Sequence, residues 1–429
     1  MKIQFITGIN RFFFDVYLCS YIFVKYTILL ICRKISFKQY VIFFKRLLLF
    51  YSRLKNNKVV KIGNLYKIHL YLPSFPTKAF FIAIDKFLLL NQDPPPTSVL
   101  LSMTKACPYN CPYCYQKFDK GDDLQMEKLL ETATQIQNTG ISLINIEGGE
   151  PLVKFDRLIK LLEHIDERAE VWLNTTGYGL TPEKAKKLKD VGTFGVMVSL
   201  HHWDKEKFDG FLNKQGAFDT ALSALEMFLK AGIATVINCC PSKQLLDEDG
   251  FDKIMDIAKK YGCSLVQLIH WKPSGGWLGK ESLMDKETID KLYNYHLTYN
   301  KSKKYKNYPA VASQVYESAK QNFGCTAGGI ERFYINANGE FQPCEFINVS
   351  FGNLQNESFI VLFKRMRSFF KKPATKWLCC TECERIEAML KENSTSIPLP
   401  KDKTILLAQK WDRGEEVPLY VKMRLYKDE

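Results

Sequence analysis

Three cysteines close together in the sequence constrain this chain more than any other feature. Cys107, Cys111 and Cys114 have the spacing C-x3-C-x2-C and directly follow an apolar run. This spacing lets three thiolates converge from one short loop onto one polynuclear metal centre, whereas a closed structural zinc or iron–sulfur site takes four protein ligands. The motif therefore predicts a cubane cluster with one iron left open for a small molecule. A zinc knuckle with a remote fourth ligand is the alternative.

A second motif lies at the end of the next predicted strand. Residues 142–147 form a short apolar run that leads into Gly148, Gly149, Glu150 and Pro151. Two glycines at the end of a strand let the backbone approach a ligand closely, because no Cβ stands in the way. The free carbonyl groups of such a strand tip can hold an ammonium group. A plain strand-to-helix turn would explain this motif alone, but its combination with the cysteine loop favours a small-molecule site.

The cysteine loop and the Gly-Gly-Glu-Pro motif together resemble the radical S-adenosylmethionine (SAM) superfamily. The resemblance implies a 4Fe–4S cluster on the three cysteines, with the open iron bound by the amino and carboxylate groups of SAM. It implies that the Gly-Gly-Glu-Pro motif holds the methionyl amino group. It also implies an oxidoreductase-type or modifying reaction, in which SAM is cleaved to a 5′-deoxyadenosyl radical that abstracts hydrogen from a substrate. The electron would come from an external donor such as a flavodoxin or a ferredoxin.

The region around these motifs alternates strands and helices. Apolar, β-branched runs predict six strands, and amphipathic periodicity predicts a helix between each pair. Six such units require a parallel sheet with both faces covered. We therefore expect an α/β fold with a partial (β/α)6 barrel, resembling the radical SAM core, with its site at the carboxyl ends of the strands. The predicted strands are 99–106, 142–147, 170–175, 195–200, 234–239 and 264–271, and the helices are 126–137, 153–166, 182–190, 217–230 and 249–261.

The resemblance implies further cofactor contacts at single positions. Tyr113 occupies the place of the aromatic residue that packs near the adenine in the family. Thr176 lies in a Thr-Thr-Gly segment similar to the family's Thr-Asn-Gly, and Ser199 closes the fourth strand, where the family often places a ribose-binding serine. Leu212 and Asn213 depart from a family segment that has Arg and Gly at these positions. A contact from that arginine to the SAM carboxylate is therefore absent here or supplied by another residue.

A second group of cysteines lies near the C-terminus. This segment resembles the SPASM/Twitch extension of the family, whose G-x4-C element matches Gly339 to Cys344. The resemblance implies a second, auxiliary 4Fe–4S cluster with a role in electron transfer, and zinc on the same thiolates is the competing interpretation. Cys379 is left as the spare thiol, because Cys380 and Cys383 have the C-x2-C spacing of a chelating pair. The predicted ligands of this cluster are Cys325, Cys344, Cys380 and Cys383.

The first 60 residues differ in composition from the rest of the chain. They contain eleven Lys and Arg residues against the single acid Asp15, which is +10 of the chain's formal +14, and they are dense in aromatic residues. Such a segment fits a basic helix lying on an anionic membrane surface. It equally fits a helical cap on the barrel, and residues 12–32 come close to the length of a membrane span. No nucleic-acid recognition motif accompanies the charge, so we expect no nucleic-acid partner.

Taken together, these features predict six regions and one class of chemistry. We predict a radical SAM enzyme with an unidentified substrate, cytoplasmic or peripheral at the inner membrane face, with modification of a peptide or protein favoured. The alternatives are a radical SAM enzyme that acts on a lipid, a tetrapyrrole or another small metabolite, and a non-catalytic iron–sulfur electron carrier at the membrane. The regions are a basic helical region (1–60), a β-ribbon and helix (61–98), the partial barrel (99–275), a helical bridge (276–320), the auxiliary cluster domain (321–384) and a tail (385–429).

Overall fold

The chain folds around one central sheet, with further elements before and after it. A computed structural model describes residues 1–119, 121–280, 285–392 and 397–426. The region before the central sheet combines a three-stranded antiparallel sheet, in the order β1-β2-β3, with three helices. Its elements are β1 (Ile3–Ile6), α1 (Ile9–Ile31), α2 (Phe37–Tyr51), β2 (Val59–Ile62), β3 (Leu65–Lys67) and α3 (Lys78–Asp85).

The two long N-terminal helices each pack one face against the rest of the protein. α1 buries Phe14, Leu18, Ile22 and Tyr26, which recur every four residues and so share one face of the helix. The Tyr26 hydroxyl donates a hydrogen bond of 2.5 Å to the Asp85 carboxylate at the end of α3. By length and composition alone α1 could cross a membrane. One face of α1 is therefore packed against the rest of the protein.

A buried arginine attaches α2 to two other parts of the chain. The sequence places Arg46 among the basic residues of an interfacial helix, but its side chain is 5% exposed. The guanidinium donates to the carbonyl oxygens of Met423, Phe87 and Leu89, at 3.0, 3.1 and 2.6 Å. This arginine therefore satisfies backbone acceptors at a helix–helix junction and does not belong to the exposed charge of the region.

Six parallel strands form the centre of the fold, as the sequence predicts. Each pairs in parallel with the next, from β4 through β9, with one register shift between β6 and β7, and the helices between them cover the sheet. The elements are β4 (Ser98–Ser102), α4 (Met126–Asn138), β5 (Leu143–Glu147), α5 (Phe155–Glu163), β6 (Glu170–Thr175), α6 (Pro182–Asp190), β7 (Thr193–Ser199), α7 (Lys205–Leu212), α8 (Ala217–Lys230), β8 (Ala234–Cys239), α9 (Lys243–Asp247), α10 (Gly250–Lys260) and β9 (Leu265–Leu268).

The inner face of this sheet changes from apolar to polar along the strands. Because side chains alternate between the two faces of a strand, Leu143 and Asn145 of β5 point to the same side. Leu143 packs with Trp172 and other apolar residues at the amino ends of the strands, whereas Asn145 and Glu147 line a cavity at the carboxyl ends. The sheet thus has an apolar floor at one end and a polar cavity at the other.

The N-terminal sheet closes the amino ends of the strands. Lys67 of β3 is fully buried and makes an ion pair of 2.5 Å with Glu170, the first residue of β6. The same carboxylate accepts hydrogen bonds from the Ser74 amide and the Trp172 indole, at 2.7 and 2.8 Å. Val60 of β2 packs into the apolar floor beside these groups. This closure fixes the amino ends of the strands, opposite the end that carries the cysteine loop.

The chain after β9 extends the sheet on both edges. β10 adds to β9 in parallel, so the predicted helical bridge also contains a strand, and β11 pairs with β4. β11 and β12 form a hairpin around Asn338 and Gly339. Pro418–Met423 in the predicted tail form a helix, because Pro418 lacks a donor for a ladder but suits the first turn of a helix. The elements are α11 (Lys286–Lys301), β10 (Ala310–Ser313), α12 (Gln314–Glu317), β11 (Tyr334–Ile335), β12 (Phe341–Gln342), α13 (Phe359–Phe369), α14 (Leu378–Thr381), α15 (Cys383–Glu392), α16 (Lys401–Ala408) and α17 (Pro418–Met423).

Candidate cofactor and cluster sites

A cavity of about 380 Å³ lies at the carboxyl ends of the parallel strands. The cysteine loop follows β4 and forms one rim of this cavity, and Cys107 on that rim is exposed. The cavity has the size of a site for one small molecule. Of the residues that the sequence assigns to the first cluster and to SAM, those that line it are Cys107, Cys111, Cys114, Tyr113, Gly148, Gly149, Thr176 and Ser199.

The two glycines after β5 hold the strand tip against the base of the cysteine loop. The Gly149 amide donates to the Thr104 carbonyl at 2.7 Å, and the Glu150 amide donates to the Ala106 carbonyl at 2.8 Å. A Cβ added at Gly149 would lie 2.4 Å from the Ala106 carbonyl oxygen, and one added at Gly148 would lie 2.3 Å from the Thr104 carbonyl oxygen. The glycines therefore bring the two motifs into direct backbone contact, in addition to leaving room beside the cavity.

Glu150 joins this tip to the neighbouring strand and does not line the cavity. Its carboxylate accepts hydrogen bonds from the Thr175 hydroxyl and the Thr176 amide, both at 2.7 Å, and from the Leu152 amide at 3.1 Å. Burial raises the pKa of this carboxyl, and the hydrogen bonds from Thr176 and Thr175 oppose the shift. Pro151 follows as the first residue of a short 3-10 turn. Glu150 and Pro151 thus shape the tip and do not line the cavity, unlike Thr176.

The wall of the cavity presents amide side chains from successive strands. Asn145, Asn174, Asn238 and Gln267 come from β5, β6, β8 and β9 and all line the cavity. The side-chain carbonyl oxygens of the three asparagines are buried and have no hydrogen-bond partner within the described residues. Unpaired buried acceptors are rare in folded proteins, so these atoms indicate a ligand that donates hydrogen bonds.

The amide wall is a feature that the sequence interpretation missed. Each of its residues is a polar side chain in a mostly apolar strand, and each lies in the middle or the carboxyl-terminal half of that strand. The wall could have been predicted from polar residues that recur at this position in several neighbouring strands. Side chains alternate between the two faces of a strand, so such residues would lie on one face.

Glu147 is the buried acid of the cavity. Its carboxyl accepts hydrogen bonds from the Tyr115 hydroxyl and, at 2.9 Å, from the Asn174 amide. Burial raises its pKa to about 8. The side chain is therefore mostly neutral at pH 7, and it can hold or release a proton beside a bound ligand.

An aromatic group stands beside the cysteine loop. The Tyr113 ring stacks on Phe211 with ring centroids 4.2 Å apart, and it lies 6.1 Å from Trp271 and 5.7 Å from His201. Burial lowers the pKa of His201 to about 3, so this ring is neutral and accepts the Cys240 backbone N–H at 3.0 Å. A flat, apolar wall of this kind suits a planar base, which is consistent with the expected place of the adenine.

The segment after α7 keeps the expected backbone despite its changed residues. Asn213 has φ of 50°, the left-handed conformation for which glycine is the usual residue. Asparagine is among the few other residues that adopt this conformation readily, so it substitutes for the family's glycine. Leu212 lines the cavity and offers no charge in place of arginine. The cations that line the cavity are Lys105, Lys117, Lys272 and Arg332.

Two of these cations form a wall between the cavity and the second group of cysteines. Lys272 and Arg332 line both the main cavity and a smaller one of about 30 Å³. Arg332 lies 3.4 Å from the Glu345 carboxylate, and the Lys272 ammonium lies 2.6 Å from the His270 ring. The two sites that the sequence separates by some two hundred residues therefore share a basic partition.

The second group of cysteines comes together only in part, because the predicted ligands Cys380 and Cys383 do not line the smaller cavity. Cys325, Cys344 and Cys379 line the smaller cavity together, although the sequence spacing leaves Cys379 as the spare thiol. The Cys380 sulfur lies 3.9 Å from that of Cys379, and the contact with Cys379 and the charge of Lys272 lower the pKa of Cys380 to about 7. The geometry thus makes Cys379 a competitor for the position that the sequence assigns to Cys380.

The thiol chemistry fits the clusters that the motifs imply. Burial raises the pKa of Cys107, Cys111 and Cys114 to about 11 each, so these thiols would stay protonated until a metal centre replaced the protons. Within the described ranges, no three His, Cys, Asp or Glu side chains are arranged around a single metal ion. Three thiols on one rim, a close-packed glycine tip and open acceptors on the facing wall together suit a cluster and a small polar cofactor.

Comparison with known families agrees with this assignment. The sequence profile of the radical SAM superfamily matches residues 101–268, which hold both the cysteine loop and the glycine tip. The SPASM profile, described as an iron-sulfur cluster-binding domain, matches residues 325–384. This second match favours iron–sulfur over zinc at the second group of cysteines.

Curated relatives with several different activities match the chain. The AdoMet-dependent heme synthase of Methanosarcina barkeri is 24% identical over 64% of this chain and 84% of that protein. The PqqA peptide cyclase of Granulibacter bethesdensis is 22% identical over 68% of this chain and 81% of its own length. The GTP 3′,8-cyclase of Staphylococcus carnosus is 26% identical over 59% and 80%.

Solved structures share the fold. SuiB of Streptococcus suis, bound to S-adenosylmethionine, superposes with a TM-score of 0.54 at 17% identity, over 66% of this chain and 70% of that one. The protein anSMEcpe with bound AdoMet gives a TM-score of 0.52 at 17% identity, over 73% of this chain and all of that one.

Proposed function

Because this chain belongs to the radical SAM superfamily and carries a C-terminal SPASM domain, we propose that it cleaves SAM reductively and abstracts hydrogen from a peptide or protein substrate. The observation that carries the proposal is the meeting of the cysteine loop and the glycine tip at one rim of a cavity with unpaired acceptors. An electron carrier has no use for such a cavity. When bound, the cluster and SAM supply the electron and the radical.

The residues of this chain hold and orient the cofactor. Cys107, Cys111 and Cys114 would ligate the cluster, and the strand tip at Gly148 and Gly149 would face the methionyl amino group. The packing of that tip on the loop keeps the two halves of the site in a fixed relation. The amide wall would accept hydrogen bonds from the cofactor or the substrate, while the aromatic group at Tyr113 covers one side and excludes water.

The shape of the cavity favours a substrate that enters from the open rim. A volume of about 380 Å³ suits one small molecule, so bound SAM would leave little enclosed space for a second one. The reacting part of the substrate would then be a protruding segment, such as a side chain of a peptide. Among relatives, the PqqA peptide cyclase is named for a peptide. A tetrapyrrole, lipid or other small metabolite is the second candidate, which the heme synthase relative favours.

The second cluster would serve electron transfer. Lys272 and Arg332 separate it from the cofactor cavity, so an electron leaving the substrate radical would have a short route to it. From there an outside carrier, such as a flavodoxin or ferredoxin, would take the electron, and a carrier of the same kind would reduce the first cluster. Ligation by four thiolates would leave the second cluster no open position.

We also place the enzyme at the inner face of the cytoplasmic membrane as a peripheral protein. The support is the surface of α1 and α2, which leaves many large apolar side chains exposed beside a net positive charge. These two features together are typical of helices that lie in a membrane interface.

The test of the proposed chemistry is SAM cleavage by the reconstituted, reduced protein under anaerobic conditions. We expect 5′-deoxyadenosine to form without added substrate, and Cys107→Ala, Cys111→Ala and Cys114→Ala each to abolish it. Cys32→Ala is the matched control, because Cys32 is exposed in the turn after α1 and lies away from both cavities. Continued cleavage in the three loop variants would remove the proposal.

A further inference from the structure

A second cavity lies between the N-terminal helices, at the opposite end of the barrel from the cofactor site. It measures about 520 Å³, and its walls come from α1, α2 and α3, with Ile68 and Leu72 at its base. Those two residues flank the Lys67–Glu170 ion pair at the amino ends of the strands. Its apolar side chains include Leu18, Ile22, Phe23, Leu47, Leu48 and Phe80. Cavities lined by such apolar groups stay dry and bind apolar ligands.

This cavity opens onto a large exposed apolar face. Phe23 of α1 and Leu48 of α2 both line it and are 55% and 63% exposed. Within the described residues, 14 of the 21 exposed large apolar side chains lie in the first 48 positions. A contiguous apolar surface of this kind marks an interaction site on a soluble protein.

Basic residues border the same face. Arg33, Lys34 and Lys38 are exposed around the turn between α1 and α2, and Lys45 is exposed on α2. The one acid in the first 60 residues, Asp15, pairs with Arg11 at 2.8 Å and offsets none of these four charges. The face is therefore apolar with a positive border, which complements the acyl chains and headgroups of an anionic bilayer.

The opposite face of both helices is committed to the protein. Tyr26 of α1 bonds to Asp85, and Arg46 of α2 bonds four backbone carbonyls in other parts of the chain. α1 would lose the contact of Tyr26 with Asp85 if it crossed a bilayer, so it lies along the membrane surface. A membrane also accounts for the basic border better than a protein partner does. The centre of a protein interface is depleted of charged residues, and the charged residues at its rim need not all be positive.

From these observations we propose that the cavity between α1 and α2 binds one acyl chain of an anionic phospholipid when the exposed face lies on the membrane. This inference rests on the peripheral membrane association proposed above and adds a specific lipid site to it. The opening of the cavity at Phe23 and Leu48 would face the bilayer. An acyl chain could therefore enter the cavity directly from the membrane. The bound chain would fix the depth and orientation of the protein on the surface.

The test uses the full-length protein and vesicles of phosphatidylcholine with one third phosphatidylglycerol. A trace of phosphatidylglycerol carries a photoreactive diazirine near the end of one acyl chain, and crosslinked peptides are mapped by mass spectrometry. We expect crosslinks at the buried wall residues Leu18 and Ile22 and at the partly buried Leu47, in addition to exposed residues such as Phe12. Crosslinks confined to exposed residues, with co-sedimentation intact, would overturn the acyl-chain site while leaving membrane association in place.

Two variants distinguish the effect of filling the cavity from the general effect of adding tryptophan to this surface. The double variant Cys19→Trp and Leu48→Trp changes two exposed residues that line the cavity, and Val16→Trp is the matched control, exposed on α1 but outside it. We expect crosslinking at Leu18 and Leu47 to fall at least tenfold in the double variant and to stay unchanged in the control. Equal crosslinking in both variants would contradict the site.

The remaining outcomes address the membrane itself. Absence of co-sedimentation of the wild-type protein would refute both the membrane association and the lipid site. Equal binding to pure phosphatidylcholine vesicles would refute the requirement for anionic lipid. SAM cleavage is measured in parallel and should be the same in all variants, since the cavity lies at the other end of the barrel.

Discussion

The substitution Gly149→Ala tests the contact between the glycine tip and the cysteine loop. The added Cβ would lie 2.4 Å from the Ala106 carbonyl oxygen and 2.6 Å from that of Lys105, and both are backbone atoms that cannot rotate away. Overpacking of this kind costs about 1–3 kcal/mol. Separation of the tip would also break its two hydrogen bonds to the loop, at about 0.5–1.5 kcal/mol each. The total is about 2–6 kcal/mol, a large part of the stability of a typical domain.

This cost is measured by anaerobic urea unfolding of the metal-free protein, and SAM binding to the reconstituted protein is measured alongside. Gly210→Ala is the matched control, because a Cβ at Gly210 in α7 meets nothing within 4 Å. Alanine in a helix interior should raise stability by roughly 0.5–1 kcal/mol. We expect Gly149→Ala to lower the unfolding midpoint and to weaken SAM binding. Wild-type stability and full SAM affinity in Gly149→Ala would refute the reasoning.

Three other predictions follow from single contacts. The folded pKa of Glu147, about 8, lies above its ordinary value of 4.5, so its contribution to stability is complete below about pH 4.5 and is lost, by at most about 5 kcal/mol, as the pH rises through 8. In urea unfolding across this range, Glu147→Gln should flatten the pH dependence, and an unchanged slope would contradict the burial argument. Arg46→Met should cost about 2–4 kcal/mol by leaving carbonyls unpaired, whereas exposed Lys45→Met should stay within about 0.5 kcal/mol, as measured by thermal unfolding. Cys380→Ala should lower the iron content by about four atoms per chain and Cys379→Ala should not, as the C-x2-C spacing predicts; the reverse result would make Cys379 the ligand, as its place on the smaller cavity allows.

The sequence predicted the core of the fold well because buried parallel strands have a simple signature. A strand covered on both faces is a continuous apolar run, and β6 and β8 begin and end at the predicted residues. The cysteine loop and the glycine tip were also found, since each motif is local in sequence. The Ala106 carbonyl beside Gly149 shows the limit of this approach, because the reason for the glycine lies in a distant segment.

Features that depend on long-range contacts could not be predicted from the sequence. Arg46 lies in a basic segment, where an arginine is expected to be exposed. Its burial depends on carbonyl groups almost 400 positions away in the chain. The choice between Cys379 and Cys380 depends on the rotation of a short helix, α14, which spacing does not determine. Asn145 and Asn174 belong to a wall that only the parallel register brings together.

The central claim is that the first cluster has an open iron that binds SAM. The most direct measurement is the electron paramagnetic resonance spectrum of the reduced protein in which Cys325→Ala and Cys344→Ala have removed the second cluster. We predict that SAM changes the signal of the remaining 4Fe–4S cluster, because the three ligands Cys107, Cys111 and Cys114 leave one iron free. A spectrum that saturating SAM leaves unchanged would contradict the account.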